Sequence, residues 1–463
     1  MGETMRKIVF RLSKPIILII WFISLFMYIT SPMKYDYGLC LSAFIMVLIT
    51  SVFLILKVSE RQVLTFDLMF SVAFIFANFL YPVFLYPINP NFSLFAISFN
   101  EDYITKCSFM ALLGFSSYSY CRIREYNRSN TNGYVSDVAR PKWAIVLCSI
   151  ITIITIIFYG RSIGTLYSDF KPSPLIELLR NVLDALIFYL ILAAFFKSST
   201  LKEVFKKLPL FFWLLLCLLC LVQLMVGVRT YVMRYGLFII MGYSYFIKKI
   251  KLLPVIVLVV AGMILMHDVG NSRMGTEGRD ISESAIINAG EDLIINNRAL
   301  YSITEIADKE GLTYGKSMLM NVLSVVPFAQ SIIPPLLGSD INEMSSALIN
   351  TGAVWEPGDP ERIGLGTNTV ADVYMAFGVL GVIILMGALG TLLSRSEAQM
   401  YQSFGYLLVY ALFFANAIYY PRAEYLNLLR IISWNYLFYY IINKKNKTSQ
   451  KQLQMSNVKS EFA

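Results

Sequence analysis

The chain has 463 residues, 57% of them hydrophobic and 15% charged, with a net charge of +9. Soluble domains carry about a quarter charged residues, so this composition excludes a water-soluble globular enzyme and points to a bilayer as solvent. The expected class is an all-α polytopic membrane protein.

The first apolar run, Pro15 to Thr30, follows the basic start MRKIVFRLSK and precedes SPMKYDYG, with no small-x-small cleavage site between them. It reads as a retained span rather than a removed signal. Counting about 20 apolar residues per crossing places about twelve spans. They start near Lys14, Tyr37, Val63, Tyr103, Lys142, Ile176, Pro209, Tyr231, Leu252, Thr369, Ser403 and Asn427. Spans one to nine fill residues 1–267 and a large loop runs over 268–368. Spans ten to twelve fill 369–443, and a polar tail covers 444–463. With the N-terminus in the cytoplasm, 24 of the 39 Lys and Arg fall on that side, the usual asymmetry of such chains. Both termini then lie inside, and the large loop, with 6 basic and 14 acidic residues, lies opposite.

Within the loop, the stretch SMLMNVLSVVPFAQSII, Ser317 to Ile333, is apolar but short and holds Asn321, Pro327 and Gln330. An interfacial or re-entrant helix is expected there, not a thirteenth span. Asp280 and Glu283 form a capping-box pattern ahead of apolar residues at helical spacing through Ile303, with Gly311 as the expected stop. The six cysteines all lie in or beside apolar runs. Cys217 and Cys220, in LLLCLLCL, read as lipid-buried small residues rather than a metal or redox pair.

Several chemical signatures are missing. There is no phosphate-binding glycine loop, no D-x-D for a metal-bound nucleotide sugar, and His267 is the single histidine, so a multi-histidine zinc site is excluded. What remains is a set of arginines: Arg229 and Arg234 in QLMVGVRTYVMRYGLF, Arg273, Arg279 and Arg298 after span nine, and Arg422 in YYPRAEY. Guanidinium forks bind phosphate oxygens in pairs and stay charged, which suits a lipid phosphate or pyrophosphate and the glycan on it. The alternative for each is snorkelling to headgroups or pairing with the loop's acids. Arg298, on the amphipathic helix, reads as a solvated face. Among acids at membrane depth, Asp184 is spaced to pair with Arg180 at i,i+4, whereas Asp67 has no visible partner; the basic Arg430 is likewise unassigned. Asp372 sits one turn into span ten, in GLGTNTVADVYMAFGVLGV. It could accept a proton from a sugar hydroxyl, or form a salt bridge to one of the arginines. His267 is a second candidate for that base.

A G-x-R turn between two spans, a large loop, and then G-x-G-x-N-x-x-A-D-x-Y-x-x-F-G-x-x-G leading into a late span resemble the Wzy-type O-antigen polymerases. These are bacterial polymerases of oligosaccharide repeat units, and the O-antigen ligases share their layout. The likeness is sharpest over Val226 to Arg234 and Gly364 to Gly381. It implies a GT-C-like, metal-independent glycosyltransferase without cofactors, in the bacterial inner membrane, with its active site facing the periplasm. Such an enzyme moves a growing glycan from undecaprenyl pyrophosphate to the non-reducing end of a new lipid-linked repeat unit. The resemblance implies pyrophosphate contacts at Arg229, and by extension at Arg273 and Arg279, and a role for the carboxylate of Asp372. Ligases carry a histidine just before the late span, where this chain reads GTNTV, and that argues against a ligase. The expected partners are undecaprenyl-pyrophosphate-linked glycans and the lipid bilayer, with room for a polysaccharide chain-length regulator and none for nucleic acid. A lipid-linked oligosaccharide flippase is the chief alternative, although no repeated halves are visible. A membrane acyltransferase would need His267 as its catalytic histidine.

Overall fold

The computed structural model describes residues 3–58, 64–90, 99–126, 138, 140–163, 173–226, 228–250, 285–338, 340–356 and 364–444. For residues 3–11, 124–126, 229 and 285–296 it describes the backbone alone. Every regular element among them is helical. In chain order these are α1 (Glu3–Thr30), α2 (Tyr37–Val58), α3 (Phe66–Leu80), α4 (Tyr103–Tyr126), α5 (Lys142–Arg161), α6 (Pro174–Phe195), α7 (Leu201–Lys207) and α8 (Leu210–Met225). Then come α9 (Arg229–Phe246), α10 (Ala285–Glu310), α11 (Leu319–Leu323), α12 (Ala329–Leu336), α13 (Ser346–Gly352), α14 (Thr369–Gln399) and α15 (Phe404–Asn416). The last is α16, over residues 429–444.

Six of the described helices are long and apolar enough to cross a bilayer: Leu12–Thr30, Tyr37–Val58, Phe66–Leu85, Lys142–Arg161, Pro174–Phe195 and Thr369–Gln399. The pair α7 and α8, bent by 94°, makes a seventh if taken together. Shorter or more polar helices (α4, α9, α15 and α16) stand at four further expected positions. The expected span from Leu252 lies outside the described residues.

The chain divides into two compact units. The first comprises Met1–Asn130, Ile250–Ala398 and Asn416–Leu428. Its centre is α3, where Phe66, Phe70, Phe74 and Ala77 are fully buried and Phe70 stacks on Phe115 of α4. A helix apolar on all sides belongs in the middle of a bundle. By contrast α1 and α2 expose Ile19, Phe22, Phe26, Ile45 and Val52, as lipid-facing helices do. Between membrane helices small residues allow close backbone approach, and α14 meets α4 in this way. A Cβ on Gly390 would lie 2.3 Å from the Tyr118 carbonyl oxygen and 3.0 Å from the Arg122 nitrogen. Gly390→Ala is therefore expected to wedge the two helices apart at a cost of about 1–3 kcal/mol, read as a lowered thermal midpoint in detergent. Gly160→Ala, with nothing within 4 Å of its added methyl, is the control that should hold its midpoint.

This contact is reinforced by buried charge. Asp67, without a visible partner in the sequence, takes Arg122 Nε at 3.0 Å and Nη2 at 2.8 Å, together with the Tyr118 hydroxyl. Glu397 accepts from the same Nη2, and Ser394 from Nη1 at 3.1 Å. Arg122 thus belongs to an internal cluster on α3, α4 and α14.

α14 is not continuous. Gly378 adopts φ +65° and ψ −158°, which breaks the helix after Phe377. The Met375 carbonyl accepts instead from the Thr313 backbone N–H at 2.9 Å and from its hydroxyl at 3.2 Å. Only glycine adopts this left-handed, extended geometry without strain. The apolar stretch after Ser317 forms α11 and α12, of 5 and 8 residues, neither long enough to span a bilayer. Leu323, Ala329 and Met344 close its inner side, whereas Val322, Val326, Phe328, Ile332, Leu336 and Leu337 are exposed.

The second unit comprises Thr131–Lys249, Gln399–Ala415 and Leu429–Ala463. Its centre is α6, buried continuously from Leu183 to Phe195 and packed on α5 and α9. Close packing with α9 depends on Gly242, where a Cβ would come within 2.7 Å of the Phe195 ring.

Candidate functional site

In the first unit the start of α14 is built around amides. Asn368 Oδ1 caps the Val370 N–H at 2.9 Å, and its Nδ2 reaches Asn78 Oδ1 at 3.0 Å. This orients the first turn, so Asp372 points inward and is fully buried. Its Oδ2 accepts the backbone N–H of Tyr425 at 2.8 Å; its Oδ1 makes no close hydrogen bond among the described residues, and the Ser346 hydroxyl is the polar side chain beside the carboxylate. No ion pair between Asp372 and an arginine forms among the described residues, which leave out Arg273, Arg279 and the side chain of Arg229.

Around it lie Ser346 and Thr367, whose hydroxyls are 2.9 Å apart, and Thr369, which donates to the carbonyls of Tyr420 and Ala423. Arg422 closes the 3-10 turn Tyr420–Arg422 in the same unit and is half-buried. Further along α14, the Tyr374 hydroxyl donates to Asp308 Oδ1 at 2.6 Å while Lys106 Nζ pairs with Asp308 Oδ2 at 2.7 Å. Arg298 on α10 is buried, not solvated, and burial pulls its guanidinium down to about 10. At neutral pH it remains a cation.

In the second unit the guanidiniums gather on one tyrosine. Arg229 is the first residue of α9, and Arg234, five residues on, is buried. The Arg234 guanidinium lies 5.5 Å from the ring centroid of Tyr231, and that of Arg180 on α6 lies 4.8 Å from the same centroid. Arg180 Nη1 also reaches the Tyr159 hydroxyl at 3.4 Å. The i,i+4 pairing expected of Arg180 and Asp184 does not form as an ion pair; Asp184 is taken by the Tyr235 hydroxyl. Arg180, Arg234 and Arg430 nonetheless all act on Asp184 electrostatically. Three cations around one carboxylate, two of them on an aromatic face, make a region suited to a multiply charged anion. Arg180 is the member that sequence spacing hid, because i,i+4 pairing with an acid is the ordinary reading of that spacing.

His267, Arg273 and Arg279 lie outside the described residues, as does the side chain of Arg229. Among the described residues no three His, Cys, Asp or Glu side chains gather as a metal-ligand set.

The family model described as O-antigen polysaccharide polymerase Wzy matches residues 14–446. No curated protein and no solved structure matches the chain.

Proposed function

Because the chain belongs to the O-antigen polysaccharide polymerase Wzy family, a multi-pass membrane family that joins lipid-linked repeat units, we propose a specific transfer reaction for it. The growing glycan leaves undecaprenyl diphosphate and is joined to the non-reducing end of a new lipid-linked repeat unit, on the periplasmic face of the inner membrane and without a metal. The bond from the anomeric carbon to the diphosphate oxygen breaks, and a bond from that carbon to the acceptor hydroxyl oxygen forms. The hydroxyl proton passes to Asp372. The observation carrying this reading is the fully buried Asp372, within the motif that marks the family likeness, with Oδ2 held by Tyr425 and Oδ1, beside the Ser346 hydroxyl, in no close hydrogen bond. His267 is the second candidate for this proton.

Negative charge builds on the diphosphate as it departs. Arg229 and Arg234, with Arg273, Arg279 and Arg422, are proposed to bind that group and the glycan it carries, and the shared contact on Tyr231 adds Arg180 to them. A preorganised donor of this kind contributes about 3–4 kcal/mol in the transition state. Alanine at Arg234 is accordingly expected to cut turnover about 100- to 1,000-fold, with Arg180→Ala following in the same direction. Lysine at either position should recover only part, because it lacks the fork and the flat contact with Tyr231.

The whole reading is tested with the purified chain in proteoliposomes given undecaprenyl-diphosphate-linked repeat units and EDTA. Glycans of two or more units are the expected product. Single units moved between leaflets without lengthening would instead support a flippase, and a requirement for added metal would remove the metal-free mechanism.

A further inference from the structure

Glu424 has no part in the chemistry above. It lies two residues after Arg422 in the turn between α15 and α16, half-buried, with both carboxylate oxygens held. Asn321 Nδ2 of α11 donates to Oε2 at 2.6 Å, and the Ser345 hydroxyl donates to Oε1. Ser345 also caps α13 by accepting the Leu348 N–H at 3.2 Å. The neighbouring residue, Tyr425, is fixed just as firmly. Its backbone N–H is the donor to Asp372, its hydroxyl donates to the Leu385 carbonyl of α14 at 2.6 Å, and its carbonyl accepts from the Tyr420 hydroxyl at 2.7 Å. The turn is therefore tied to α14 on one side and, through Glu424, to the helices of residues 316–352 on the other.

A carboxylate is a costly tie at this place. Asp372 is buried close enough to interact electrostatically with Glu424, and two carboxylates near one another repel. A glutamine or serine would tie the turn without that repulsion. What a carboxylate adds is strength, since charge-assisted hydrogen bonds are roughly twice as strong as neutral ones, and here two donors converge on it from separate short helices.

We infer that Glu424 is a positioning residue for Asp372. Held by Asn321 and Ser345, it sets the turn so that the Tyr425 N–H meets Oδ2 and leaves Oδ1, beside the Ser346 hydroxyl, as the oxygen offered to an acceptor hydroxyl. The inference rests on the reading of Asp372 as proton acceptor. It assigns the segment over residues 316–352 the task of aligning the base, through one side chain.

The test is steady-state polymerisation by the full-length protein in proteoliposomes, with the thermal midpoint measured alongside. Glu424→Gln is expected to lower kcat about 10- to 100-fold, the size of loss that a misplacement of about 1 Å produces. KM for the lipid-linked repeat unit should stay within about twofold, as expected for a residue acting on the chemical step rather than on binding. Asn321→Ala combined with Ser345→Ala should reproduce that loss, and adding Glu424→Gln to the pair should deepen it no further. Glu424→Asp, which keeps the charge, should recover part of the rate. A Glu424→Gln enzyme that changes KM instead of kcat, or whose loss multiplies with that of the pair, overturns the inference. Should Glu424→Gln fail to fold, the Asn321 and Ser345 variants carry the same comparison. A fully active Asp372→Asn enzyme removes the reading of Asp372 and this inference with it. An inactive one beside a normal Glu424→Gln enzyme removes this inference alone.

Discussion

Asparagine in place of Asp372 is expected to leave single repeat units on lipid and no long glycan ladder. The substitution is nearly isosteric, and the amide oxygen can still accept the Tyr425 N–H. What it removes is the capacity to take a proton. General-base catalysis contributes about 100- to 10,000-fold, so turnover should fall into that range while protein level and thermal midpoint stay near those of the parent. The readout is the surface polysaccharide of a polymerase-null strain on a gel, with membrane protein followed by an epitope tag. A normal ladder at equal protein level would show that Asp372 is not the base, and His267, the second candidate, would move to first place.

Removing Arg122 should be the most destabilising single change in the first unit. Its guanidinium makes three hydrogen bonds to Asp67 and others to Glu397 and Ser394, and it is completely buried. Alanine would leave two carboxylates close together with no cation between them, a situation that costs about 3–5 kcal/mol. Loss of folded protein from the membrane and a sharply lowered thermal midpoint are expected. Lysine should rescue little, because one ammonium cannot serve both faces of the fork. Arg122→Met combined with Asp67→Asn and Glu397→Gln should recover much of the loss, since the burden lies in the unpaired charge. An Arg122→Ala protein with an unchanged midpoint would mean that the cluster does not hold α3, α4 and α14 together.

The contrast between these residues shows how far the sequence could be read. Starts at Tyr37, Tyr103, Lys142 and Thr369 coincide with helix starts because apolar length and flanking polar residues are local signals. The stop at Gly311 was visible for the same reason, and the helix ends at Glu310. Within the late motif, Asn368, Asp372 and Gly378 each have a distinct task, respectively a cap, a buried carboxylate and a helix break. The partners of buried charges were not legible. Asp67 and Arg122 are separated by 55 residues, and Asp184 and Tyr235 by 51, so no spacing rule joins them. Arg298 looked solvated because its helix is amphipathic, and only packing reveals that it points inward. Glu424 escaped attention because its donors come from α11 and the residue before α13, about 80 to 100 positions earlier.

The interruption at Gly378 has a mechanical consequence. The nine residues Thr369–Phe377, before the break, are held from outside their own helix by Thr313 at the Met375 carbonyl, by Asp308 at the Tyr374 hydroxyl and by the turn at 420–425. Asp372 therefore sits in a short segment whose placement depends on these neighbours as well as on the helix beyond Gly378. A substitution that loosens the Thr313 contact would act on the segment carrying Asp372, whereas one at Gly390 would act on the long apolar shaft beyond the break.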